Sequence, residues 1–92
     1  MKAGQIVIIK KGRDKGRTMI VLAAEPGKTA EATFLSLVDG KTRTLSKPKK
    51  KKAMHVQPMN SYVDLTRAGP RGLQDADIRK MLGEEVHHIG EG

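Results

Sequence analysis

Aromatic residues are almost missing: the 92-residue chain has one Phe, one Tyr and no Trp. A core built without rings must be packed from Ile, Val, Leu and Met. The same shortage argues against a module that binds single strands on rows of aromatic platforms. Recognition is then left to charge, backbone amides and shape. Cysteine is absent, which excludes disulfides and thiolate zinc sites and says little about compartment. Long apolar runs are missing too. The longest, Met19 to Ala24, is six residues, against the ~18 that suggest a membrane span. Lys10 and Lys11 interrupt any signal-peptide core behind Lys2, so a cytoplasmic protein that does not associate with membranes is expected.

Catalytic sets are equally scarce. No Cys is available, and no carboxylate pair sits in an apolar setting, so a nucleophile, base and orienting group are hard to assemble. The glycine-containing loop near the N-terminus lacks the Gly-Lys-Ser/Thr ending of a nucleotide phosphate loop. His87-His88 stand together in a glycine-flanked acidic tail, far in sequence from His55, and adjacent histidines there are weak chelators. No enzyme activity, cofactor or metal site is expected.

What the chain has is positive charge, unevenly spread. The net charge is +8. Residues 1–58 carry 14 Lys/Arg against 4 Asp/Glu, and residues 59–92 carry 4 against 6, or +10 and −2. A basic module followed by a mildly acidic extension is therefore expected, with the boundary near Pro58. A basic patch favours nucleic acid or an anionic membrane, and no basic amphipathic helix supports the membrane. The length allows one small domain plus an appendage. A core of roughly 60 residues buries only about 60% of its unfolded surface, so stability should be modest.

The stretch Gln5 to Leu22 organises the chain. Ile6–Ile9 and Met19–Leu22 are short apolar runs, rich in β-branched residues, that read as strands. Between them Lys11, Arg13, Lys15 and Arg17 alternate with Gly12, Asp14 and Gly16. The glycines suit a tight reversal. Such a bend presents cations to a phosphate backbone. A solvated hairpin tip is the plainer reading of the same residues.

Further along, Glu25-Pro26-Gly27-Lys28 reads as a turn, and Thr29–Thr33 as a connector, extended or one helical turn. Phe34–Val38 reads as strand three, with Leu35 and Leu37 toward the core. Asp39-Gly40 signals a two-residue hairpin into strand four, Lys41–Leu45, which ends at Ser46-Lys47-Pro48. Lys49, Lys50, Lys51 and Lys52 form an uninterrupted run. Its like charges repel, which favours a solvated loop unless a counter-charge orders it. Ala53–Gln57 reads as strand five, with Met54 and Val56 on one face and His55 outward. Five short strands with tight turns predict a mostly β fold, a small and highly curved barrel. Beyond Pro58, Gly69-Pro70-Arg71-Gly72 reads as a loop. Asp75 suits an N-cap, Ile78, Met81 and Leu82 share a face, and Gly83 suits a stop, giving a short helix over about Gln74–Leu82. Helices this short are unstable alone and must dock or fray. Glu84–Gly92 is expected to be a mobile tail.

Gly4-Gln5-Ile6-Val7 followed by Lys11-Gly12-Arg13-Asp14-Lys15-Gly16-Arg17 resembles the KOW motif, a strand, a basic glycine-containing loop and a second strand. That motif occurs in several ribosomal proteins and in transcription elongation factors of the NusG type. The later order of Leu37-Val38-Asp39-Gly40, Leu45-Ser46-Lys47-Pro48, the lysine run and His55-Val56 is similar to the family of ribosomal protein fourteen of the archaeal and eukaryotic large subunit. It is closer still to short bacterial KOW-domain RNA-binding proteins. The resemblance covers about residues 3–58. It implies an SH3-like five-stranded barrel and RNA binding.

The residues expected to meet RNA are Lys11, Gly12, Arg13, Lys15, Gly16 and Arg17 of the loop, Lys41, Arg43 and Lys47, and Lys49, Lys50, Lys51 and Lys52. Arginines would fork onto phosphates while lysines act as point charges. The expected partner is structured RNA, ribosomal RNA first, bound by a monomer as a ribosome-associated protein. Residues 1–58 are expected to fold and bind alone. Two other roles fit the same charge: a barrel that contacts RNA polymerase or a ribosomal protein, and a small DNA-binding protein.

Overall fold

The computed structural model describes residues 1–29, 32–66 and 72–91, and for 84–91 the backbone only. Parts of two expectations, Ala30-Glu31 of the connector and Gly69-Pro70-Arg71 of the loop, lie outside the described residues. The strands are β1 (Gln5–Ile9), β2 (Thr18–Glu25), β3 (Phe34–Val38), β4 (Lys49–Lys52) and β5 (Val56–Tyr62). They form one antiparallel sheet in the order β4-β3-β2-β1-β5. Helix α1 spans Asp75–Glu91. The mostly β class is as expected.

Successive side chains along a strand point to opposite faces, so the unbroken run Ile6-Val7-Ile8-Ile9 supplies apolar groups to both. Val7, Ile9, Met19, Val21, Leu35, Leu37 and Val56 form one buried cluster. Ile6, Ile20 and Val38 form a second on the other face, closed by Ile78 and Leu82 of α1. Leu35 and Leu37 are both fully buried, as their alternation predicts.

The sheet is open but strongly curled. Its edges, β4 and β5, are joined only by the single 3₁₀ turn Ala53–His55. Four inter-strand gaps in a flat sheet amount to about 19 Å. The four steps from Lys52 to Val56 reach at most about 14 Å. The edges must therefore approach each other around the first cluster. The Lys10 N–H donates to His55 O at 2.9 Å and the Ala53 N–H to Thr33 O at 2.8 Å, fixing the link to both sides of the curl.

Several expectations are corrected. Lys41–Leu45 is not a strand. The Asp39 carboxylate accepts from the backbone N–H groups of Lys41 and Arg43 at 2.9 and 2.8 Å and from the Thr42 hydroxyl at 2.9 Å. These local bonds capture donors that a ladder would need. A tight turn bridged at Thr44 and Lys47 follows. The fourth strand is instead the lysine run, paired residue by residue with Phe34–Leu37. The fifth begins at Val56, not Ala53, so Met54 sits in the 3₁₀ turn, half exposed, while Val56 is buried. It continues to Tyr62, so the expected boundary at Pro58 falls inside β5; Pro58 is tolerated because β5 is an edge strand.

Helix α1 also runs on past Gly83, and the expected mobile tail is helical up to Glu91. A stop glycine adopts the left-handed conformation; Gly83 has no positive φ. Asp75 is the first helical residue and not the N-cap, and its carboxylate accepts the Leu45 N–H at 2.8 Å. Asp77 reaches back to the Gln74 N–H at 2.9 Å, half of a capping box. Arg79 donates to Gly40 O at 2.6 Å. Gly40 has φ +79° and lies against α1 so closely that a Cβ there would stand 2.5 Å from Asp75 O. Only glycine fits, and α1 is thereby seated on the 39–45 segment.

Candidate nucleic-acid interface

The β1–β2 loop is closed by reciprocal backbone bonds, Ile9 N–H to Arg17 O at 3.0 Å and Gly16 N–H to Ile9 O at 2.8 Å. Inside it the Lys15 N–H bonds Gly12 O and the Arg17 N–H bonds Asp14 O. Two successive turns result: Gly16, the third residue of the Asp14–Arg17 turn, has φ +88°, and Gly12, which leads into the Gly12–Lys15 turn, has φ +94°. The sharp bend expected from the glycines is present.

The acid of this loop is its organiser. Asp14 is only 7% exposed. Its carboxylate meets an Arg43 guanidinium nitrogen at 3.0 Å and Arg17 Nε at 3.7 Å. Arg17 also donates to Thr42 Oγ1 at 2.9 Å and stands 3.8 Å from the Asp39 carboxylate. Burial opposes the charged form of Asp39. The N–H groups of Arg43 and Lys41, the Thr42 hydroxyl and the Arg17 charge outweigh it and hold the carboxyl below the ordinary aspartate value. Arg17 and Arg43, expected on phosphates, also staple two loops together, and Arg17 stays half exposed. Arg43 is bound to Asp14 and its Nε is buried without a partner among the described residues.

With the acid turned inward, the outer surface of the loop is cationic. Lys11, Arg13 and Lys15 are exposed. The lysine strand joins them: Lys51 Nζ donates to Lys11 O at 2.7 Å, an approach that the curl makes possible. His55 lies in this corner. Desolvation first, then the charges of Lys11, Lys51, Lys52 and Lys10, push its pKa below the ordinary histidine value. That set of neighbours defines a patch drawn from the end of β1, the loop, β4 and the 3₁₀ turn.

The other expected residues divide differently. Lys49 and Lys51 are half-buried and pair with Leu37 and Leu35, on the face of the first cluster. Lys50 and Lys52 are exposed on the other face. Lys50 is neutralised by Glu25 at 3.2 Å, and Lys52 Nζ stands 5.9 Å from the Phe34 ring centroid. Lys41 lines a shallow groove of about 260 Å³ with Thr18, Asp39, Arg79, Leu82 and Gly83, beside α1. Lys47 is exposed in the turn after it. Sequence reasoning missed Asp14 and Asp39 as organisers and Lys10 as part of the patch. The signal was an acid inside a basic loop, which self-repelling cations need.

Comparison with known proteins finds no matching family model and no matching curated protein.

Proposed function

We propose that this protein binds RNA by its phosphate backbone, through the cationic corner formed by Lys10, Lys11, Arg13, Lys15, Lys51 and Lys52. The observation that carries the reading is the inward commitment of Asp14, which leaves the outer face of the loop, among the described residues, without a counter-charge beside lysines delivered from another strand. Exposed cations held close together by backbone bonds repel one another, and a polyanion relieves that repulsion while releasing its own counterions. The KOW resemblance selects RNA over DNA and structured ribosomal RNA as the first candidate, with a cytoplasmic, ribosome-associated role. It is a binding role without catalysis.

A second reading is favoured by one observation: β4 and β5 are open sheet edges, to which a strand from RNA polymerase or a ribosomal protein could add. The test is titration of a structured RNA at several salt concentrations. If about five phosphates are neutralised, log affinity falls against log salt with a slope of roughly −3.5 to −4.5. Reversing Lys11, Arg13 and Lys15 together should flatten the slope and leave the fold intact, because none of the three side chains is buried. A slope near zero in the wild type refutes the phosphate reading. DNA of the same sequence and shape, if it competes equally, refutes the choice of RNA.

A further inference from the structure

Helix α1 covers only part of the outer sheet face. It closes over Ile6, Ile20 and Val38, whereas the far end of the same face carries Phe34. Phe34 belongs to an aromatic pair of residues in the whole chain, yet it remains 38% exposed instead of filling the aliphatic core. One exposed ring is unremarkable by itself. Its neighbours carry the argument.

Register places Glu25, Phe34 and Lys52 in one row across β2, β3 and β4, and Ala23, Ser36 and Lys50 in the next. The ring thus has a cation on one side, a carboxylate on the other, and two small residues along the sheet. Lys52 lies over the ring and is also among the lysines around His55, so this row is continuous with the phosphate-binding corner.

We propose that Phe34 is a stacking platform for one unpaired base of the bound RNA, with Lys50 and Lys52 on its flanking phosphates. The inference rests on the RNA-binding reading and names its ligand more closely: a looped or single-stranded segment in place of a continuous duplex. A duplex withholds its base faces, while an unpaired base offers one to any ring. The row also sets direction. Glu25 repels phosphate and accepts from base N–H groups, so the base lies toward β2 and the backbone toward β4. Binding of a phosphate would draw Lys50 from Glu25, an exposed pair that is easily exchanged.

The test uses the full chain and two labelled RNAs, a hairpin with an unpaired loop and a blunt duplex of equal length. Phe34→Leu keeps an apolar side chain and removes the ring. It should weaken hairpin binding by about 5- to 150-fold, the range of one lost base stack, and leave duplex binding and the salt slope unchanged. Phe34→Trp should keep hairpin affinity. Because the chain has no other Trp, its fluorescence then reads the site directly and should be quenched by the hairpin but not by the duplex. Unchanged hairpin affinity of Phe34→Leu overturns the platform. If that variant fails to fold, unquenched Phe34→Trp at saturating hairpin overturns it instead. Wild-type protein that binds neither RNA overturns the underlying RNA reading, whereas salt-dependent binding indifferent to Phe34 removes the platform alone.

Discussion

Asp14→Ala distinguishes an organised loop from a merely charged one. The carboxylate is buried and holds Arg43 at 3.0 Å and Arg17 at 3.7 Å. Breaking a fully buried ion pair costs about 3–5 kcal/mol. Here the Arg43 and Arg17 side chains are 32% and 51% exposed, so water recovers part of that. Arg43 Nε already lacks a partner among the described residues, and loss of Asp14 leaves its fork without this anchor. A cost of roughly 1–3 kcal/mol follows. For a domain of this size that is a fall in Tm of about 4–24 °C. The binding readout is sharper because two models predict opposite signs. Removing an acid from a basic loop raises net positive charge, so a purely electrostatic loop would bind RNA more tightly. An organised loop loses its carboxylate anchor to Arg43 and Arg17 and binds more weakly despite the added charge. Thermal melts and RNA titrations at one salt concentration measure both. An unchanged Tm together with tighter binding refutes the organiser role.

Three other outcomes are expected. Asp39 has a depressed folded-state pKa, so its contribution is present above the unfolded value of about 3.8 and is lost as pH falls through the lower folded value; acid melts of Asp39→Asn should lack this loss, and a profile identical to wild type would contradict it. Gly83→Ala should stabilise by up to about 1 kcal/mol, since the residue is helical and a Cβ meets nothing within 4 Å among the described residues; a lower Tm in denaturation would show that α1 does not continue through it. A chain cut after Pro58 should lose its cooperative melt, contrary to the reading of residues 1–58 as self-sufficient: it removes Met59–Tyr62 of β5 and uncovers Ile6, Ile20 and Val38, each worth about 1.5–3 kcal/mol against a total of roughly 5–14 kcal/mol.

The N-terminal half was legible because its signals are local. Apolar runs around a glycine-containing loop give β1 and β2, and Leu35-Ser36-Leu37 gives β3 with its inward residues correct. Asp39-Gly40 misled. The dipeptide commonly makes a two-residue hairpin, but Asp39 also has Thr42 and the Arg43 N–H within reach, and its side chain closed a wider loop. Gly83 misled for a similar reason: a glycine ends a helix only when the chain turns there. The loop was read as a row of cations; Asp14 and Arg17 are only three residues apart, but the pairs Arg43–Asp14 and Arg17–Asp39 join separate parts of the chain. A pairing over 29 positions, Arg43 to Asp14, leaves no periodic trace.

The lysine strand shows how one segment satisfies two demands that pull apart in sequence. Four adjacent lysines repel, and low β propensity disfavours pairing them. The edge position resolves both. A central strand would force every ammonium between two neighbours. At the edge only β3 flanks the run, and alternation sends Lys49 and Lys51 to one face and Lys50 and Lys52 to the other. The inner pair lays its stems beside Leu37 and Leu35, with Lys51 ending on Lys11 O. The outer pair is spread over Glu25 and Phe34. Lysines along an edge also discourage unwanted strand addition, which weighs against β4, though not β5, as a protein-docking edge. On each face the charges stand two residues, about 6.6 Å, apart, and the inner row, continued by the loop through Lys11, is the side that the proposed RNA backbone would follow.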